Sequence, residues 1–209
     1  MACLLRYDAP MTKGHHNHSD PEPAALLKEY ADLFVKNPLP GPVLDLACGN
    51  GRNGIYLATL GVAVEMCDIS CEALSRAREL ARQKGVAPRF VVLDLEKEGA
   101  APLKKDAYGG VVVFRYLHRP LVPAIRNAIR PSGVLIYETF TVDQVRYGKP
   151  TNPDFLLERN ELRRWFADWE ILHYAEGVQP DPERAVAQLV CRKPLDRPAG
   201  DRACASLLR

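Results

Sequence analysis

Residues Val43 to Ala58 read VLDLACGNGRNGIYLA, and no other stretch narrows the fold as much. Four residues of strand character, Val43-Leu44-Asp45-Leu46, enter a turn holding Gly49, Gly51 and Gly54, and Ile55, Leu57 and Ala58 then start a helical apolar period. A glycine turn between a strand and a helix lets a ligand approach bare backbone, because glycine has no side chain and takes positive φ freely. The stretch is a candidate nucleotide site.

The rest of the chain repeats this rhythm. Asp20 followed by Pro21 looks like an N-cap and first helical position, with Ala25, Leu26, Tyr30, Leu33 and Phe34 as a helix face ending near Asn37-Pro38. Gly61 ends the helix after the glycine turn, and residues 62–68 read as a second strand. Ser70 can cap a helix whose Ala73, Leu74, Ala77, Leu80 and Ala81 keep helical spacing to Gly85. Residues 89–94 and 110–114 are a third and fourth strand, the fourth continuously apolar like a parallel strand covered on both faces. A helix over Pro120 to Arg130, closed by Pro131-Ser132-Gly133, leads to a fifth strand at 134–138. Beyond Thr139 the rhythm breaks into a loop excursion over 142–157, and a short helix at 161–166 and strands at 170–174 and 186–192 close the sheet. The alternation predicts a doubly wound α/β fold, a mostly parallel, Rossmann-like seven-stranded sheet with helices on both faces. One domain over 20–193 would lie between a flexible tail, 1–19, and a weakly ordered tail, 194–209.

Charge and cysteines limit the function classes. With 28 basic and 26 acidic residues the formal charge is +2, which gives no strong field for nucleic acid or anionic lipid. No apolar run approaches the ~18 residues of a membrane span, and MACLLRYDAP is too short and mixed for a secretory signal. The six cysteines, Cys3, Cys48, Cys67, Cys71, Cys191 and Cys204, form no CxxC pair and read as reduced thiols of a cytoplasmic protein. Gly14-His15-His16-Asn17-His18 clusters imidazoles, but no carboxylate or thiol pattern completes a metal site, so no metal is expected.

Taken alone, Gly49-x-Gly51-x-x-Gly54 fits a dinucleotide fingerprint, with Asp68, 19 positions on (68 − 49), as the ribose-binding acid. Asp45, on the strand as it enters the turn, shifts the balance. A carboxylate there repels a pyrophosphate and suits a ligand with ammonium and sulfonium centres, such as S-adenosylmethionine. Asp94, at the end of the third strand, can accept a hydrogen bond from an adenine amino group, so Asp45, Asp68 and Asp94 would read ammonium, ribose and base. An NAD(P)-dependent oxidoreductase and a non-catalytic binding module are the alternatives.

The stretches VLDLACGNGRNGIYLATLG, VEMCDIS and FVVLDLE resemble motifs I, II and III of class I S-adenosylmethionine-dependent methyltransferases, and GRNGIYLA is similar to the tellurite-resistance methyltransferase subgroup. The resemblance spans roughly Pro23 to Lys193, with motif I its most specific part. It implies that Asp45, Ala47, Gly49, Asn50 and Gly51 surround the methionine portion of the cofactor, with Asn53 orienting its carboxylate end. It further implies Asp68 and Ile69 at the ribose and Asp94 and Leu95 at the adenine, and Phe114 is counted with these contacts. No nucleophile is proposed at Cys48.

Methyl transfer from a sulfonium is an in-line displacement, so the groups that act must stand at the strand C-termini beside the methyl. Tyr116, His118 and Arg119, after the fourth strand, are the catalytic candidates, with His118 as a base and Arg119 holding an anionic acceptor. Glu138, Thr139, Tyr147 and Lys149 are further candidates to line the acceptor pocket. The Asn/Asp-Pro-Pro-Tyr/Phe signature of amino-group nucleic-acid methyltransferases is absent, and FRYLHRP stands in its place. A small-molecule or metalloid-oxyanion acceptor is therefore favoured over nucleic acid, a protein acceptor stays open, no membrane partner is expected, and the oligomeric state is undetermined.

Overall fold

A computed structural model describes residues 22–36, 39–97, 103–180 and 182–195. The histidine cluster, both terminal tails, and Asp20 and Pro21 lie outside these residues. The first helix, α1 (Ala25–Tyr30), starts later than the Asp20-Pro21 signal implies, and residues 22–24 are not helical. Ala24 is extended, and its N–H is taken by Asn53 Oδ1 at 2.9 Å, so this backbone donor is spent on the glycine-turn helix. A break at Ala31 separates α1 from α2 (Asp32–Val35).

The four residues of β1 (Val43–Leu46) are all buried. The chain then runs through α3 (Arg52–Thr59), β2 (Val64–Asp68), α4 (Cys71–Gln83), β3 (Arg89–Val92) and the fully buried β4 (Tyr108–Phe114). Ser70 caps α4 as expected, its Oγ accepting the Ala73 N–H at 3.1 Å. A 3-10 turn (Arg119–Leu121) leads into α5 (Val122–Ala128), which is followed by the long β5 (Ile129–Phe140), α6 (Glu161–Trp165), β6 (Glu170–Gln179) and β7 (Arg184–Arg192).

The seven strands are ordered β3-β2-β1-β4-β5-β7-β6, with β7 antiparallel to both neighbours and the rest parallel. Helices α1 to α4 pack on one face through Leu27, Phe34, Ile55, Leu57 and Ala77, and α5 and α6 on the other through Ile125, Ala128 and Leu162. The expected doubly wound sheet is therefore present. Strand order reverses between β1 and β4, which opens a crevice beyond their C-terminal ends.

Two boundaries differ from the sequence reading. The helix expected to reach Arg130 stops at Ala128, and Pro131-Ser132-Gly133 lies inside β5, where the pairing with β4 shifts register and Ser132 takes φ +64°. The final hairpin is longer than expected, paired out to Gln179 and Arg184, because β6 is an edge strand whose polar half-exposed residues hide its length.

The excursion after β5 is anchored at both ends. Thr141 bridges to Leu157, and the buried Gln144 accepts the Ala185 N–H at 2.8 Å and donates to the Lys149 carbonyl at 3.1 Å. Gln144→Ala leaves the buried Ala185 N–H unpaired and is expected to cost about 1–3 kcal/mol in urea denaturation, with the loss absent in Gln144→Glu at low pH, where the carboxyl can still accept.

Candidate active site

The turn between β1 and α3 is held in an unusual backbone. Ala47, Gly49 and Gly51 have φ of +53°, +55° and +85°. Ala47 bears its conformation at a cost of roughly 1–2 kcal/mol. At Gly51 a Cβ would lie 2.7 Å from Met66 Cε and at Gly54 2.8 Å from Asp45 Oδ2, so these two glycines set the close packing of α3 on the sheet. At Gly49 a Cβ would meet nothing within 4 Å, which leaves that edge of the turn open.

The acids at the strand ends take distinct tasks. Asp68 accepts the Gly49 N–H through Oδ2 and the Ser70 N–H through Oδ1, each at 2.8 Å, and so fixes the glycine turn to the entry of α4. Its neighbour Ile69 is 44% exposed, an apolar surface beside an acid. Asp94 is exposed and accepts the Glu96 N–H at 3.0 Å, while Leu95 beneath it is buried. Asn50 is exposed and its Oδ1 accepts from Arg76 Nε at 2.8 Å.

Asp45 differs from the open charge that the sequence argument assumed. It is 2% exposed and accepts the Gly54 N–H at 2.8 Å. Burial pushes its carboxyl up to about 7, against the opposing pull of the Gly54 N–H and the Arg52 charge. At neutral pH the site therefore holds a carboxyl poised between its two forms, which a cationic ligand would drive to the ionised one.

A cavity of about 230 Å³ opens over this turn, lined by Asp45, Ala47, Cys48, Gly49, Asn50, Arg52, Asn53, Phe114 and Arg115. It gathers most of the residues expected at the methionine end of the cofactor, together with Arg52 and Arg115, to which sequence reasoning gave no role. Arg52 follows the turn directly and donates to the Glu22 carbonyl at 3.1 Å. Burial, and then the charge of Arg115, lower its guanidinium pKa; Glu138 and Asp45 oppose this, and Arg184 adds to it. Arg115 takes φ +58°, exceptional for a non-glycine residue, and its N–H donates to the Glu138 carbonyl at 2.9 Å. Cys48 is a half-buried thiol whose pKa is raised by desolvation and by the Asp45 and Asp68 charges, so it is no thiolate.

The three catalytic candidates separate. Arg119 spends its guanidinium within the fold, on both oxygens of Glu161 at 2.8 and 2.9 Å and on the carbonyls of Asp154 and Leu156 at 3.0 and 2.8 Å. It latches α6 and the excursion to the segment after β4. Tyr116 turns to the opposite side of the sheet from the α3 helix, its hydroxyl donating to Glu96 at 3.3 Å beside Leu95, and burial raises its pKa. His118 is half-buried at the start of the 3-10 turn, and its imidazole makes no hydrogen bond among the described residues. Those residues also hold no group of three or more His, Cys, Asp or Glu able to bind a metal.

The family model described as tellurite resistance protein TehB matches residues 28–181. The chain belongs to the TehB family. Among TehB-like relatives, the probable S-adenosyl-L-methionine-dependent methyltransferase TehB of Haemophilus influenzae is 32% identical over 146 residues, covering 66% of this chain and 49% of that protein. The tRNA 5-carboxymethoxyuridine methyltransferase of Escherichia coli K12 is 24% identical over 156 residues, covering 62% of this chain and 60% of its own. The chain thus spans about half the length of the TehB relatives it matches. The solved TehB of H. influenzae superposes with a TM-score of 0.65 at 23% identity over 79% of this chain and 62% of that one. The magnesium protoporphyrin IX methyltransferase of Synechocystis with bound S-adenosylhomocysteine superposes at 0.62, with 20% identity over 80% and 81% of the two chains. Of these relatives, the H. influenzae TehB is described as a probable S-adenosyl-L-methionine-dependent methyltransferase and the Synechocystis enzyme holds S-adenosylhomocysteine; none of them is described as a nicotinamide enzyme.

Because the Asp45 carboxyl binds its proton more tightly when folded than at its ordinary value of 3.8, its contribution to stability is fully present below pH 4 and is lost as pH rises towards 7, by about 1.4 kcal/mol per pH unit within that window. Asp45→Asn is expected to remove this slope and to stabilise the ligand-free protein at pH 8 while weakening cofactor binding. Urea denaturation between pH 4 and 8 checks the first effect and calorimetry the second. A slope that survives in Asp45→Asn assigns the titration to another group.

Proposed function

We propose that this chain transfers a methyl group from S-adenosylmethionine to a small acceptor that carries negative charge. The observation supporting this is the cavity at the β1 and β4 ends, where buried Asp45 faces the cationic end of such a cofactor and Arg52 and Arg115 bring positive charge to the same space. When bound, the cofactor supplies an electrophilic methyl on a sulfonium. Asp45 and the Gly49 edge of the turn would hold its ammonium and backbone-facing side, Asp68 and Ile69 its ribose, and Asp94 and Leu95 its base. Arg52 and Asn53 stand where they can meet its carboxylate.

The acceptor side would be built from Arg115, His118 and Glu138, with Arg184 adding positive charge. Arg184 is close enough to Arg52 to act on its charge, and its Nε is buried with no partner among the described residues. An anion offers these guanidiniums what the fold withholds. Arg119 and Tyr116 are assigned as positioning residues, the first through its Glu161 latch and the second beneath the adenine side. The near-neutral charge of the chain favours a small molecule over a polyanion. No helix of the described residues is long and apolar enough to cross a membrane, and Cys48, Cys67, Cys71 and Cys191 are free thiols, which supports a cytoplasmic setting.

Calorimetry is expected to show micromolar S-adenosylhomocysteine binding that Asp45→Ala abolishes, with no NAD binding. In a cell extract given radiolabelled cofactor, label should pass to the small-molecule fraction. Arg115→Met should raise the acceptor KM by tenfold or more, the worth of one charged hydrogen bond. Label recovered in RNA or protein would overturn the small acceptor, and binding without any transfer would favour a non-catalytic module.

A further inference from the structure

We propose that Glu138 is the base that takes the proton of the methyl acceptor, and hence that the acceptor reacts through a hydrogen-bearing heteroatom; this rests on the methyl-transfer reading above. Glu138 lies within the buried run of β5, which continues through Thr139 to Phe140, and is only 3% exposed. It lies two residues beyond Ile136 and is paired across the sheet with the cavity-lining Phe114, and Ile136 and Phe114 both pack on the α3 face. Alternation along the strand therefore places its side chain on that same face. Asp45 reaches the α3 backbone there too.

The hydrogen bonding of Glu138 is incomplete. Oε2 accepts from Gln188 Nε2 at 2.7 Å, and Gln188 is itself steered by Gln179, whose Nε2 donates to its Oε1 at 3.5 Å. Oε1 has no donor among the described residues. Oε1 is not one of the fully enclosed unpaired polar atoms of the described residues, so it keeps an opening to solvent, and neighbouring Arg52 and Arg115 do not fill it by a hydrogen bond. A donor brought by the acceptor would complete the set. His118 lies on the half-buried loop after β4 and lacks such a scaffold.

The step balances without a further reactant. The acceptor heteroatom gives its proton to Glu138 Oε1 while its electron pair bonds the methyl carbon. The methyl–sulfur bond breaks with its pair left on sulfur, and Glu138 later releases the proton to water. An acceptor whose nucleophilic lone pair carries no proton has no use for this base.

Two probes separate these cases: mercaptoacetate, an anionic thiol that must lose a proton, and selenite, whose selenium lone pair has none to lose. With mercaptoacetate, Glu138→Gln is expected to lower kcat a hundredfold or more, with Glu138→Asp recovering part of the rate. With selenite the loss should be at least tenfold smaller than with mercaptoacetate, and S-adenosylhomocysteine binding by the variant shows that it is folded. Equal loss on both probes, no loss on either, transfer to selenite alone by the unaltered protein, or a loss confined to His118→Ala overturns the assignment. Should neither probe be methylated, the small-molecule extract fraction serves as acceptor: a hundredfold loss in Glu138→Gln supports the base and an unchanged rate refutes it. No transfer from the unaltered protein to any of the three, with cofactor binding intact, refutes the small-acceptor reading itself.

Discussion

The bond from Gly54 N–H to the buried Asp45 carboxyl, 2.8 Å long, joins the first strand to the helix that follows it, and much of the site takes its position from that junction. Residue 54 must be glycine for the helix to come this close, since a Cβ would strike Asp45 Oδ2 and Met66. With α3 seated, Asn53 reaches back to the Ala24 N–H and fixes where α1 begins, and Gly51 packs against Met66 and Ala77 to bring in β2 and α4. Burying a carboxyl is expensive, and the protein limits the cost by letting the group keep its proton near neutrality. The same burial makes the carboxyl responsive, because a cationic ligand supplies the compensation that water no longer can.

On the other side of the crevice, polar side chains do the work of a hydrophobic core. Arg119 uses a bidentate pair with Glu161, and two further donors on the Asp154 and Leu156 carbonyls, to hold an excursion that has little regular structure of its own. The pair lies partly exposed, so its worth comes less from charge attraction than from satisfying carbonyls that no strand or helix would otherwise meet. Gln144 performs the corresponding task at the far end. A wall fixed in this way can present Arg115 and Glu138 at a constant separation from the glycine turn, as an in-line displacement requires.

The cofactor half of the molecule was legible because backbone demands wrote it into the sequence. Gly49, Gly51 and Gly54 announce the turn, and the continuously apolar 110–114 run announces a strand covered on both faces, here fully buried in β4. The acceptor half was less legible because its features depend on contacts distant in sequence. Nothing local to Arg119 reveals Glu161, 42 positions away, and nothing local to Arg115 reveals its left-handed backbone. The start of α1 differs from the expected one for a similar reason: residues 22–24 are not helical, and the Ala24 N–H donates to Asn53 Oδ1, 29 positions on in the sequence. Asp45 was found in sequence as a charge, yet its burial and raised pKa became visible only once α3 was in place above it.

Asp45 and Glu138 share one face of the sheet, and the contrast between them divides the labour of the site. Asp45 is satisfied by a main-chain N–H of α3 and lies against the turn, so a ligand resting on that turn decides its protonation. Glu138 is satisfied at one oxygen by a side-chain amide from the antiparallel strand β7 and stands across the sheet from Phe114, beyond the turn. The two carboxyls are thus supported by different elements, Asp45 by the helix α3 and Glu138 by the antiparallel strand β7. Change on the β7 side can retune the partner of Glu138 without disturbing Asp45. In the proposed reading, that separation gives a physical route by which a chain can keep the glycine turn of its family and still select an acceptor of its own, because the residues assigned to the cofactor and those assigned to the acceptor draw on different hydrogen-bond partners.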